Sequence, residues 1–346
     1  MDALHALLKG AIDYAGMYPP ARLSLADALA NYLEYQQSDE AWMLGSFVLP
    51  VGDLESLGSL LSEREVPEPI ALSVIGRGGT SISVWRKNLT EDFDRIEDFL
   101  HRHGDCAQVQ TFEVRLPLVT SWEIPPHETS LRQTIARGLP PATELTGLVA
   151  LAENELVRFR DAWPRLFFEP PRQGVASPAW YGALAEVASY LSGRKQDRCG
   201  LKLRTGGTEV DAIPSTRDVA LFLQVCHTFE VRWKGTAGLH QPLRHHDPSL
   251  GIDLHGFLNL LVASVLMTST RFAHSPVLIL SDTDPTHFSF DSRECRWGLT
   301  DEQATADLQD IQRARLRGLC SFGSCDFDEP REQLRQLGWL QSAHSA

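Results

Sequence analysis

Four consecutive stretches decide the fold: SPAWYGALAEVASYLSG (177–193), CGLKLRTGG (199–207), STRDVALFLQVCHT (215–228) and FEVRWKGTAG (229–238). The first and third repeat their apolar residues with helical spacing. The second and fourth are short apolar runs that stop in polar and glycine residues, as buried strands do. Helix, strand, helix, strand is the rhythm of a parallel sheet with crossover helices. The two strands also echo each other, because each carries a lysine followed by threonine and glycine, Lys202 and Lys234 standing 32 positions apart.

Working outward, the same alternation extends over most of the 346 residues. AIDYA (11–15) reads as a first strand and runs into GMYPP, and a helix near Ser24 follows with Leu25, Ala28, Leu29, Tyr32 and Leu33 on one face. WMLGSFVLP (42–50) and PIALSVIG (69–76) read as the second and third strands. Between them a helix over 52–63 presents Leu54, Leu57, Leu60 and Leu61. TEDFDRIEDFLHRHG (90–104) reads as a helix capped by Thr90 and stopped by Gly104. VQTFEVRLP (109–117) is the fourth strand. RLFFEPP (165–171) is preferred over TGLVALAE (146–153) as the fifth, and THFSFD (286–291) is the candidate eighth, ahead of a helix beginning at Thr300.

Eight strand–helix units in this length predict an α/β chain forming a (β/α)8 TIM-type barrel. The expectation is a single domain over 1–346, with a C-terminal helical extension from about Asp326, EPREQLRQLGWL, closing or decorating it. A doubly wound open sheet is the alternative, but no GxGxxG follows an early strand.

Composition narrows the class. A hydrophobic fraction of 43% with 22% charged residues suits a globular chain. The net charge of −13 opposes attraction to nucleic acid and to anionic membranes, so neither is expected as a partner. With no signal-peptide pattern and no run of ~18 apolar residues, the expected location is cytoplasmic. Oligomerisation stays open. Six scattered cysteines read as reduced thiols; CSFGSC (320–325) pairs two of them closely, without the CxxC spacing of a redox motif.

A barrel of this kind works at the C-terminal ends of its strands, so the polar residues there are the candidates. They are Asp13, Glu113, Arg115, Glu169, Lys202, Arg204, Thr205, Arg232, Lys234 and Thr236. Strand alternation puts Lys202 and Arg204 on one face. Two cations on one face require an anion, either a ligand carboxylate or phosphate, or a structural salt bridge from Glu113 or Glu169. Gly206, Gly207 and Gly238 leave bare backbone that an oxyanion could approach, with Thr205 and Thr236 beside it. Asp13, on a rigid DYAGMYPP loop with Tyr18, is either a ligand or base, or a turn residue.

A buried lysine pairs, or gives up its proton and becomes an amine nucleophile toward a carbonyl. The stretch 200–240, GLKLRTGG through WKGTAGLH, resembles the class I deoxyribose-phosphate aldolase group, in which consecutive barrel strands end in a lysine followed by threonine or serine and glycine. The resemblance implies Schiff-base chemistry, with Lys234 and Lys202 as the positions to compare. Where that family has an aspartate, the fourth strand here reads FEVRLP, leaving Glu113 as the acid–base candidate.

LHQPLRHHDPSLGIDLHG (239–256) gathers His240, His245, His246 and His255 with Asp247 and Asp253. Their spacing fits no familiar metal motif. His240, directly after the seventh strand, suits general acid–base work near neutral pH, and His255 at the head of an apolar helix suits packing. The leading expectation is therefore an enzyme needing no cofactor, acting on a small anionic carbonyl or hydroxy compound. It would be a lyase or aldolase, or an isomerase. Lys234, Lys202, His240, Glu113 and Glu169 would be catalytic, and Arg204, Thr205, Gly206, Gly207, Thr236, Gly238 and Asp13 would bind substrate. The alternatives are a divalent-metal hydrolase or lyase using His240 to His255, and a non-catalytic barrel that binds an anionic ligand.

Overall fold

Strand pairing closes on itself. The computed structural model describes residues 2–64, 66, 68–118, 144–159, 164–172, 178–192, 198–269, 274–298 and 303–340. Its first seven strands are β1 (Ile12–Tyr14), β2 (Leu44–Pro50), β3 (Ile70–Ile75), β4 (Ala107–Arg115), β5 (Arg165–Glu169), β6 (Cys199–Arg204) and β7 (Arg232–Thr236). Five short strands follow: β8 (His245–Asp247), β9 (Ile252–Leu254), β10 (Phe288–Phe290), β11 (Glu294–Trp297) and β12 (Ala304–Asp307). The last is β13 (Leu319–Ser324), and the order β1-β13-β7-β6-β5-β4-β3-β2 forms the closed barrel. With helices alternating between its parallel strands, this is a (β/α)8 TIM-type barrel.

The eighth barrel strand is not the one the sequence suggests. THFSFD supplies β10, which pairs antiparallel with β11, and β11 with β12, in a separate three-stranded sheet. The barrel is completed by LCSFGS, read above only as a cysteine pair. An aromatic, alternating triplet looks the same in an antiparallel ribbon as in a barrel, whereas the serine- and glycine-rich β13 carries little strand signal of its own. Thr300 lies outside the described residues. The helix described after it is Leu308–Arg317, where Asp307 accepts from the Gln309 and Asp310 amides. The expected C-terminal helix is Asp328–Gln336, and it follows β13 as the helix of the eighth unit.

Two smaller differences share one cause, local signals read too locally. The helix before β4 spans Ile82–His103 and starts at Ser81, whose hydroxyl accepts from the Val84 amide; Thr90 sits inside it, and Gly104 does end it. The choice of RLFFEPP as the fifth strand agrees with β5, and the alternative TGLVALAE lies in the helix Glu144–Glu155. The N-terminal residues Ala3–Leu8 form a helix that the sequence reading passed over.

Internal contacts divide the chain into two compact units: Met1–Phe47 with Arg204–His227 and Trp233–Ala346, and Val48–Leu203 with Thr228–Arg232. In the second unit Phe112 of β4 packs on Phe93 of the helix Ile82–His103, ring centroids 4.9 Å apart. Phe112 therefore faces the helices, and its neighbours Thr111 and Glu113 face inward. Register extends that inward row, since Ser73 stands opposite Thr111, Phe167 opposite Glu113 and Gly200 opposite Phe167. Two residues beyond Gly200, Lys202 shares the face.

The first unit obeys the same logic. Trp233 meets Phe222 of the helix Thr216–Thr228 edge-on at 6.0 Å, and Phe322 stacks on Phe257 of the helix Phe257–Leu266 at 5.0 Å. Lys234 and Ser321, which pair in register, therefore point inward, and so does Asp13, opposite Gly323.

All six cysteines are free thiols. Cys320 and Cys325 lie along one extended run, so their Cα atoms stand ~16 Å apart at the usual rise per residue, far beyond disulfide reach. Alkylation of the unfolded, unreduced protein should label all six, and an intact mass two hydrogens short would contradict this placement.

Candidate functional site

Each unit builds one buried ion-paired lysine. In the first, Lys234 Nζ lies 2.8 Å from Asp13 Oδ2, with only 2% of the lysine side chain exposed. Asp13 is held on its other side too: its Oδ1 accepts the Ser46 amide at 2.7 Å, and Oδ2 accepts the Ser321 hydroxyl at 2.5 Å. The carboxylate occupies the space where a side chain at position 45 would begin, since a Cβ on Gly45 would stand 2.4 Å from Oδ1. Asp13 is therefore neither a cap nor a turn residue. It is a fully ligated inward carboxylate whose partner is the lysine.

In the second unit Lys202 Nζ lies 2.8 Å from Glu113 Oε2 and 3.3 Å from Glu169 Oε2. Glu113 Oε1 also accepts the Ser73 hydroxyl at 2.5 Å, and Ser73 in turn hydrogen-bonds Thr111. A serine has one hydroxyl proton, and Ser73 gives its own to Glu113, so Thr111 donates to Ser73. Of the two anions weighed for Lys202, the structure supplies both, and one ammonium already faces two carboxylates. Arg204, next but one on the strand, is exposed and makes no hydrogen bond or ion pair among the described residues.

The echo between the loops after β6 and β7 has a direct structural meaning. Thr205 donates from its backbone amide to Thr236 O at 2.8 Å, and its hydroxyl lies 3.1 Å from Thr236 O and 2.5 Å from Ala237 O. Gly206 then passes Gly238 so closely that a Cβ on Gly206 would stand 2.7 Å from the Gly238 Cα. The two loops pack backbone to backbone, which only paired glycines allow. Thr205 is buried with its hydroxyl proton committed to this contact, whereas Gly207, Thr236 and Gly238 are half-buried. Ala237 holds φ at 64°, a left-handed value that costs a non-glycine residue roughly 1–2 kcal/mol, and strain of that kind collects at functional ends of folds.

The four histidines do not converge. His245 and His246 belong to the hairpin β8–β9, where His246 Nδ1 meets Asp253 at 3.1 Å. His255 is buried, and its Nε2 donates to Pro214 O at 2.7 Å. His240 has its Nδ1 3.2 Å from the Ser324 hydroxyl, 3.8 Å from Cys325 Sγ and 3.9 Å from Glu329 Oε2. Among the described residues no three His, Cys, Asp or Glu side chains are placed to hold a metal ion. Burial, with a smaller push from His245, lowers the His240 pKa below the usual 6.5, opposed by Glu329 and Asp326, and burial raises that of the Cys325 thiol. Near neutral pH His240 is thus a neutral imidazole beside a protonated thiol.

Sequence reading brought out Asp13, Lys202, Lys234, Glu113 and Glu169 but missed Ser321, Ser46, Ser73 and Thr111. Ser73 could have been found as the lone polar residue in IALSVI. Ser321 required CSFGSC to be read as a strand. Comparison with protein-family models gave no match, and comparison with curated proteins gave none either. No described helix is long and apolar enough to cross a membrane.

Two measurements test this geometry. Removing one partner of a buried pair strands the other charge, so Asp13→Asn should cost about 3 kcal/mol of unfolding free energy. Urea titration should show at least half of that loss restored in Asp13→Asn/Lys234→Met; additive losses would dissolve the pair. Separately, an NMR titration should place the His240 midpoint below 6.5, and Glu329→Gln should move it lower still, because the carboxylate favours the charged ring. With its folded pKa depressed, His240 makes the fold lose stability as pH falls from about 6.5 toward that lower midpoint.

Proposed function

We propose that this chain is an enzyme that acts on a small anionic carbonyl or hydroxy compound through Lys234. The observation that carries the reading is the inward Lys234 amine, nearly sealed from water, with the fixed Asp13 carboxylate at 2.8 Å. Asp13 can accept a proton from the ammonium and so free the amine lone pair to attack a carbonyl carbon. The carbinolamine formed loses water to give an iminium, which draws electrons from the adjacent bond. Cleavage of that carbon–carbon bond is an aldolase or lyase step, and removal of a proton from the same carbon leads to isomerisation. Asp13 and the neutral His240 are the groups of this unit suited to carry protons.

The resemblance of residues 200–240 to the class I deoxyribose-phosphate aldolase group supports the same choice of lysine. Lys202 does not suit the binding of a ligand anion, one of the two readings of its charge, because an incoming anion would meet Glu113 and Glu169 as well. Its place in this proposal is structural and electrostatic, with the relay Thr111–Ser73–Glu113 fixing the acid. Arg204, exposed and without a charged partner among the described residues, takes the anion-binding role instead.

The test is borohydride reduction of the purified protein with a panel of small aldehydes, ketones and keto acids, read by intact mass. A substrate-sized mass increase retained in Lys202→Met and lost in Lys234→Ala is the expected result. Trapping that depends on Lys202 alone, or turnover without trapping that stops on treatment with chelator, would overturn the assignment.

A further inference from the structure

Several arginines of this protein that are drawn wholly or partly out of water have close acceptors for their terminal nitrogens. Arg331 meets Glu40 at 3.2 Å and Asp328 more closely, and lies over the rings of Tyr35 and Phe327. Arg315 donates to Cys320 O at 2.8 Å and Lys9 O at 2.6 Å. Arg77 reaches Asp92 at 2.6 Å, Glu91 at 2.9 Å and Asn88 O at 3.2 Å. Such pairing is what the cost of desolvating a guanidinium demands.

Arg244 departs from this pattern. Its side chain is 18% exposed, and its guanidinium makes two contacts among the described residues, NH1 to His255 Nδ1 at 3.5 Å and NH2 to Asp253 Oδ2 at 3.6 Å. Both are longer than a good charge-assisted hydrogen bond, which lies near 2.7–2.9 Å. Burial accordingly pulls the group down from the usual arginine range, with only Asp253 opposing. A fork of five donors is half-buried and only loosely engaged by its neighbours.

The group is also built into place. The Arg244 amide donates to the buried Asn259 side chain at 2.8 Å, and Asn259 in turn donates to Ile279 O and Asp282 O. Just before it, Gln241 O and Pro242 O accept the Phe257 and Leu258 amides at the head of the helix Phe257–Leu266, which fixes the chain on which Arg244 rides. His255 gives its Nε2 proton to Pro214 O, so a neutral ring turns the bare lone pair of Nδ1 toward Arg244. Pro214 belongs to the loop after β6 and Arg244 to the excursion after β7. The guanidinium thus sits among loops at the C-terminal ends of two barrel strands, the end at which barrel enzymes bind their substrates.

We propose that Arg244 is an anion anchor, taking one carboxylate or phosphate group of a small molecule in the bidentate manner a guanidinium allows. It rests on the reading above only for which end of the barrel meets substrate; the imine step is not needed. His255 is a positioning residue that holds the fork without neutralising it, and Asp253 lies too far away to compete with a ligand at hydrogen-bond distance.

The test is calorimetric titration of the full-length protein at low ionic strength with inorganic phosphate and, separately, with propionate. Saturable binding of at least one is expected, phosphate pointing to phosphate esters and propionate to carboxylic acids. Arg244→Gln should weaken it at least tenfold, Arg244→Lys by a smaller factor because charge remains without the fork, and the exposed control Arg293→Gln should leave it unchanged. Circular dichroism checks folding, and if the glutamine variant does not fold, the lysine variant decides. No saturable binding of either anion by the unaltered protein, or unchanged affinity in a folded Arg244 variant, overturns the proposal. Imine trapping and anion titration can fail independently, so loss of one identifies which inference is wrong.

Discussion

A charged side chain on the inner face of a closed barrel has no route to bulk water along the strand that carries it, and it must be answered by another inward group. That constraint orders the polar interior of this protein. Lys234 is answered by Asp13 on β1, Asp13 by the Ser46 amide and the Ser321 hydroxyl, and Lys202 by Glu113 and Glu169. Desolvation of each ion costs several kcal/mol, recovered only when geometry and extra hydrogen bonds are good, so these groups are held far more tightly than surface pairs of the same residues.

The same constraint separates two lysines that look alike in sequence. Lys234 stands against the Asp13 carboxylate, and passing a proton between them leaves two neutral groups, a modest electrostatic change in a low-dielectric interior. One ammonium facing two carboxylates is a different object. Losing its proton would leave two anions sharing a single proton at close range. In the proposed reaction Lys234 is therefore the lysine asked to give up its proton, and Lys202 the one asked to keep it.

Much of this was legible beforehand, for a reason that also marks its limit. Strand alternation is a local rule, so LKLR and RWKGT disclosed inward lysines, and RLFFE an inward Glu169, from the order of residues alone. The barrel followed from repetition of the same pattern. What stayed hidden depended on partners distant in sequence. Nothing within CSFGSC says that it pairs with β1 and β7, so Ser321 was lost along with the true eighth strand, while THFSFD imitated a barrel strand with a better local pattern. The glycines of TGG and GTAG suggested an anion cradle. In the structure Gly206 and Gly238 serve each other first, because two loops cannot cross at that distance with side chains between them.

Charge shows how a chain of net −13 can still present itself to an anion. Beyond a Debye length of about 8 Å at physiological salt the acidic surface is screened, so a ligand that arrives by diffusion responds to the groups lining its final approach. Among the described residues, Arg204 has no charged partner and Arg244 only a distant one, whereas Lys202 and Lys234 are already paired with carboxylates. The proposed function thereby divides anion binding and proton transfer between different residues: arginines, which keep their charge throughout the working pH range, and a lysine, which must be able to lose it. Such a division lets the ammonium–carboxylate pair exchange its proton during a reaction without loosening the hold on the substrate's charge.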